Sequence, residues 1–182
     1  MDAQPSIELQ HRLAKVKLFL CDVDGVLTDA SVYIGAAGEI KRFNIRDGLG
    51  MVSLRESGIR VGWISSRPSP ATTLRARELD IDFLHQSKGS KVEAAEKILA
   101  RTGCTWEQVC FVGDDIVDIG ALRQAGVAVA VADAVAEAKA VAHYVTKASG
   151  GNGAVREVVE MLLKSQNKWE GVIASRNSRK EK

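Results

Sequence analysis

The sequence predicts an α/β domain: a doubly wound, Rossmann-like parallel sheet with helices on both faces and one β-hairpin projecting from it. Three observations carry this. The runs Leu18 to Cys21, Ile59 to Ile64, Val109 to Val112 and Val127 to Val131 are dominated by apolar residues rather than alternating, as strands buried on both faces are. Each is followed by a stretch of helical periodicity, the pattern of a strand, a crossover helix and the next parallel strand. The chain has 182 residues, 46% hydrophobic and 26% charged, which suits one ordinary domain with a sizeable core.

Along the chain, residues 1–16 read as an N-terminal arm, residues 17–166 as a single domain and residues 167–182 as a flexible basic tail. The first strand is Leu18 to Cys21. The stretch SVYIGAAGEIKRF, Ser31 to Phe43, has β-prone flanks around Gly35 to Gly38 and reads as the hairpin. Helices follow at Leu49 to Ser57, Pro70 to Leu79, Lys91 to Thr102 with Ser90 as N-cap, Ile116 to Gln124, Val135 to Val141 and Ala154 to Lys164. Gly58, Gly103 and Gly126 stand where helix ends favour a left-handed residue.

Charge narrows the function classes. With 25 basic and 23 acidic residues the net charge is +2, too balanced for a nucleic-acid-binding domain. The imbalance is local: from Lys164 to Lys182 there are six basic and two acidic residues. No run approaches the roughly 20 apolar residues that span a bilayer, and the opening MDAQPSIELQHRLAK lacks a signal-peptide core. Cys21, Cys104 and Cys110, odd in number and without C-x-x-C spacing, read as reduced core thiols of a cytoplasmic protein.

In an open parallel sheet the ligand crevice lies at the carboxyl ends of the strands. After Leu18 to Cys21 come Asp22 and Asp24; after Ile64 come Ser65, Ser66 and Arg67; after Phe83 and Leu84 come Lys88 and Lys91; after Val112 come Asp114 and Asp115. Carboxylates gathered on one rim repel unless a hard divalent cation, most simply Mg²⁺, lies between them. A lysine and a hydroxyl beside that ion suit the oxygens of a transferring phosphoryl group. A lone Asp after a strand is commonly a cap, but D-x-D followed by glycine and answered by GDDIVD is a pattern. Asp118 reads as a helix-surface or capping acid. His11, His85 and His143 lack partners at ligand spacing. Gly150, Gly151 and Gly153 fit either a plain loop or a helix N-terminus that receives an anion.

DVDGVLTD, ISSR, the lysine of KGSK and GDDIVD resemble, in order and spacing, the four motifs of the haloacid dehalogenase superfamily of phosphatases. The resemblance covers Leu18 to about Val159. It implies that Asp22 is a nucleophile forming an aspartyl-phosphate, that Asp24 is the acid/base, and that Ser65 and Lys91 hold the phosphoryl group. It further implies that Asp22, the Asp24 carbonyl and Asp114 bind Mg²⁺, with Asp115 supporting the metal site. Only 43 residues separate Asp22 from Ser65 and 26 separate Ser65 from Lys91, which leaves no room for a cap domain. FNIRDG (Phe43 to Gly48) and SGGNGAVRE (Ser149 to Glu157) are similar to segments of the 3-deoxy-D-manno-octulosonate 8-phosphate (KDO 8-phosphate) phosphatases of lipopolysaccharide sugar synthesis. Those are capless homotetramers whose hairpins pack together.

That likeness implies an acidic sugar phosphate as substrate, contacted by Asp24, Asn44, Arg46, Asp47, Gly48, Ser66, Arg67, Arg75 and Lys91. Arginine forks at 46, 67 and 75 suit its carboxylate. Arg67 and Glu78 follow the octulosonate pattern rather than that of sialic-acid-type 9-phosphate phosphatases, while Ser66 and Val52 depart from it. Two other classes are weighed. A receiver-like phospho-accepting module would place its acid pair and its acceptor on strands in the opposite order, and an idle scaffold would not need every core position filled.

Overall fold

The computed structural model of the protein describes residues 6–36 and 38–178. Strand β1 (Leu18–Cys21) is wholly buried. Strands β2 (Tyr33–Gly35) and β3 (Gly38–Ile40) form an antiparallel hairpin apart from the main sheet. Strands β4 (Arg60–Ser65), β5 (Phe83–Gln86), β6 (Val109–Gly113), β7 (Val127–Ala130) and β8 (Tyr144–Val145) complete a parallel six-stranded sheet in the order β5-β4-β1-β6-β7-β8. Progression runs outward from β1 through β4 and β5, then returns to the other side at β6. A crevice therefore opens at the carboxyl ends of β1 and β6.

Eight α-helices are described: α1 (Ile7–Ala14), α2 (Ile45–Glu56), α3 (Pro70–Glu78), α4 (Lys91–Thr102), α5 (Ile119–Gln124), α6 (Ala136–Val141), α7 (Ala154–Ser165) and α8 (Trp169–Ser178). Helices α1, α2, α7 and α8 pack as one group and α4, α5 and α6 as another, so the sheet is flanked by helices and the doubly wound expectation holds. No cap domain is present among the described residues. Ser69, Ser90 and Asn44 each cap the helix that follows through a side-chain oxygen, which sets where α3, α4 and α2 begin.

Several sequence expectations need revision. The N-terminal arm contains α1, which sends Leu9 and Leu13 into the core. The segment read as a flexible tail carries α8, tied back by the Arg176–Glu56 ion pair at 2.5 Å and by Lys168 Nζ donating to Ser57 O at 2.9 Å. Arg179, Lys180 and Lys182 of that segment lie outside the described residues. Ile116 to Gln124 is not one helix, because a 3₁₀ turn at Ile116–Asp118 precedes α5. Gly58 and Gly103 have positive φ, as expected of helix ends, whereas Gly126 does not. Gly126 is needed for space: a Cβ there would collide with the carbonyl of Glu107.

Candidate active site

Parallel register builds the centre of the site. Cys21 lies opposite Val112, and the Asp22 N–H donates to Val112 O at 3.0 Å, so Asp22 and Asp114 leave neighbouring strands side by side. Helix α4 starts at Lys91, whose buried ammonium lies 2.6 Å from Asp22 Oδ2 and 2.5 Å from Asp118 Oδ1. Carboxylate oxygens of Asp22, Asp114 and Asp118 lie within 4.8 Å of one another. Gly25, at φ +91°, holds the loop after β1 against Asp114, and a Cβ there would strike that carboxylate.

Of the two readings of Asp118, the capping one holds, since its side chain closes the capping box on Asp115 N, and the helix-surface one is corrected. Asp118 is fully buried, not a helix-surface acid: Oδ2 accepts from the N–H groups of Asp114 at 3.0 Å and Asp115 at 3.2 Å, while Oδ1 takes Lys91. The 3₁₀ turn folds residue 118 back beneath the strand end, and Gly113 makes room, since a Cβ there would lie 2.6 Å from that of Asp118. Three-residue spacing between Asp115 and Asp118 after a strand-ending glycine was the available signal. Asp115 instead is exposed, lies outside the carboxylate cluster and caps that turn, its Oδ1 accepting from Ile116 N at 2.7 Å.

The electrostatics follow from burial. Burial raises the Asp22 carboxyl to about 6, opposed by Lys91 and reinforced by Asp118. Asp114 is raised to about 8 by burial and by the charges of Asp22 and Asp118. Burial alone would lower Lys91, but Asp22 and Asp118 outweigh it and hold the ammonium above the ordinary lysine value. Asp114 Oδ1 is buried with no hydrogen-bond partner among the described residues. An orphaned carboxylate oxygen among other carboxylates fits a hard divalent cation.

A stability prediction follows. Raised folded-state values for Asp22 and Asp114 favour the folded state when both are protonated, below the unfolded value near 4, and that contribution is lost as pH rises through about 6 and about 8. The metal-free protein is expected to lose thermal stability between about pH 4 and 8, with a divalent cation restoring most at the alkaline end. Melting curves with and without chelator check this; a flat metal-free curve would contradict it.

The other candidates divide. Asp24 lies beside the site, 24% exposed and ion-paired to Lys41 at 2.6 Å. Ser65 is buried at the end of β4, its hydroxyl donating to Arg67 O at 3.0 Å, and Ser66 beside it is half-buried. Arg67 pairs with Glu39 of the hairpin, whereas Arg75 on α3 pairs with Glu78 at 2.7 Å and lies over Gly48. The arginines thus serve separate carboxylates, and Arg46 is exposed on the first turn of α2. Asn44 Oδ1 accepts from Arg46 N at 2.8 Å, an intrachain cap. Asp47 is buried, and its carboxylate receives the N–H groups of Gly153 and Arg156 at 3.3 and 2.7 Å. The anion at the N-terminus of α7 is therefore the chain's own Asp47, and Gly150 and Gly151 pack against the backbone of Gly25 and Thr28.

A doubly wound sheet whose central strand ends in a buried carboxylate facing a lysine and further acids defines a phosphoryl-transfer hydrolase. Residues 49–158 match the family model described as haloacid dehalogenase-like hydrolase. The 3-deoxy-D-manno-octulosonate 8-phosphate phosphatase KdsC of Yersinia pestis is 44% identical over 162 residues, spanning 88% of this chain and 87% of that protein. A crystal structure of the 3-deoxy-D-manno-octulosonate 8-phosphate phosphatase from Moraxella catarrhalis, in complex with magnesium, phosphate and KDO, superposes with a TM-score of 0.91 at 37% identity, covering 93% of this chain and 98% of that one. The cobalt-bound enzyme from Haemophilus influenzae gives a TM-score of 0.84 at 39% identity, covering 86% and 92%. The chain belongs to the haloacid dehalogenase-like hydrolases and, within them, to the 3-deoxy-D-manno-octulosonate 8-phosphate phosphatase family.

Proposed function

We propose that this protein is a Mg²⁺-dependent phosphomonoesterase that hydrolyses KDO 8-phosphate to KDO and inorganic phosphate, acting in the cytoplasm in lipopolysaccharide sugar synthesis. The observation that carries the reading is the buried Asp22–Lys91–Asp118 chain beside Asp114 at the switch point of the sheet, in a chain 44% identical to a phosphatase of that specificity. Asp22, Asp114 and the Asp24 carbonyl would hold the ion, which when bound draws carboxylate and phosphoryl charge together. Asp118 holds the others in place, its Oδ1 accepting from Lys91 and its Oδ2 from the N–H groups of Asp114 and Asp115.

In the first step the Asp22 carboxylate attacks phosphorus, the bond to the sugar oxygen breaks and Asp24 gives its proton to the departing alkoxide. Lys91 and Ser65 hold the phosphoryl oxygens during the transfer. In the second step water attacks the aspartyl-phosphate, Asp24 takes the water proton, and phosphate leaves with Asp22 restored. A carboxylate nucleophile must be ionised, and its partly offset upward shift leaves Asp22 anionic at neutral pH.

The working unit is read as a homotetramer. Tyr33, Ile34 and Ile40 on the hairpin are exposed, Ile34 by 82%, an apolar projection that a neighbouring copy would cover. Three free buried cysteines fit a reducing compartment, and no described helix is long and apolar enough to cross a membrane.

Phosphate release from KDO 8-phosphate, measured beside a sialic-acid-type 9-phosphate, tests the reading. The octulosonate is expected to be preferred by about tenfold or more in kcat/KM, roughly 1.4 kcal/mol of discrimination. Chelator should abolish release and Mg²⁺ restore it. Preference for the nine-carbon substrate would reassign the sugar, and chelator-insensitive turnover would remove the metal from the mechanism.

A further inference from the structure

Lys41 follows β3 directly, at the base of a hairpin whose strands are largely exposed, yet its own side chain is 0% exposed. The two-residue alternation of an extended strand explains the direction: Glu39 and Lys41 share the inward face, while Ile40 between them is exposed. A buried ammonium must be paired, and here it has three partners. Its Nζ lies 2.6 Å from Asp24 Oδ1 and 3.8 Å from Glu39 Oε1, and donates to Thr72 Oγ1 on α3 at 3.2 Å. Glu39 in turn pairs with Arg67 and accepts from the Ser69 hydroxyl at 2.5 Å. The hairpin base, the N-terminal half of α3 and the loop after β1 are thus joined by one charged network that ends on Asp24.

We infer that Lys41 is a positioning residue for phosphoryl transfer: by holding Asp24 Oδ1 it fixes the acid/base carboxyl and reserves Oδ2 for the proton given to the departing sugar oxygen. The inference rests on the acid/base reading of Asp24. Both carboxyl oxygens of Asp24 are buried and neither accepts a hydrogen bond among the described residues, so the ion pair to Lys41 is what distinguishes Oδ1, and nothing there competes for Oδ2. The orientation matters in the first step only when the leaving oxygen is a strong base. A sugar alkoxide requires the proton, whereas p-nitrophenolate leaves without one.

Two ester classes therefore separate positioning from bracing. With saturating Mg²⁺, Lys41→Met is expected to lower kcat/KM for KDO 8-phosphate by about 30-fold, part of what a positioned general acid contributes, and for p-nitrophenyl phosphate by less than about threefold. Equal losses on both esters would make Lys41 a structural brace and overturn the inference, as would no loss on either. Thr72→Val, which removes the hydroxyl that receives Nζ, covers the case in which Lys41→Met fails to fold. It should show the same selective loss, about fivefold, and a uniform or absent effect overturns the inference. Asp24→Asn is assayed alongside. If it loses the sugar ester while the Lys41 and Thr72 variants do not, Lys41 alone is dismissed; if it keeps the sugar ester, the acid/base reading fails and the inference with it.

Discussion

Asp22→Asn is expected to abolish phosphate release, by about 10⁴-fold or more, while the protein stays folded. The amide cannot attack phosphorus, so the covalent route closes and only binding and electrostatic contributions remain. Folding survives because the replacement is isosteric and removes a buried charge, and Lys91 keeps Asp118 at 2.5 Å. Phosphate assay with circular dichroism on the same sample checks both halves. A folded variant with more than a few per cent of wild-type turnover would remove Asp22 as the nucleophile.

The second large effect is at Asp118, away from the substrate. Asp118→Asn offers one oxygen where the carboxylate offered two: turned to the N–H groups of Asp114 and Asp115 it faces Lys91 with an amide NH₂, and turned to Lys91 it faces two backbone donors. Either way donor meets donor in a buried place. Breaking a buried charge pair costs about 3–5 kcal/mol, and the remaining Asp22 partner puts this case near the lower end. That corresponds to roughly 6–12 °C in melting temperature for a chain of this size. Activity should fall about 10–100-fold, as when a group supporting metal ligands is lost. A melting temperature within a degree of wild type and full activity would show that Asp118 is not part of the site.

Why Asp22, Asp114 and Lys91 were legible while Asp118 and Lys41 were not has a physical answer. Strands buried on both faces announce themselves as apolar runs, and parallel pairing then puts whatever follows them on one rim. Ser90 before an amphipathic stretch fixed the start of α4 and hence the place of Lys91. Asp118 depends on a 3₁₀ turn that reverses its direction, for which its spacing from Asp115 is the one hint, and Lys41 on a hairpin base folding inward, which residue spacing does not encode. Asp47 was read as a substrate contact because it sits in a segment shared with relatives, but its hydrogen bonds run to the first turn of α7. Strand β8, two residues long, and α1 and α8, whose burial depends on distant partners, gave no comparable signal.

The bond from Asp47 to the amides of residues 153 and 156 spans more than a hundred residues. Such a closure has consequences during synthesis. The first half of the chain leaves the ribosome with β1 lacking its β6 neighbour and with α2 carrying a carboxylate whose native partners do not yet exist. Rich in contacts of long sequence separation, the domain should fold slowly and late, after nearly all of it has been made. Nascent chains stalled before residue 153 would then expose the face of α2 that α7 covers, and those stalled before β6 the edge of β1 as well, the surfaces on which a chaperone would act.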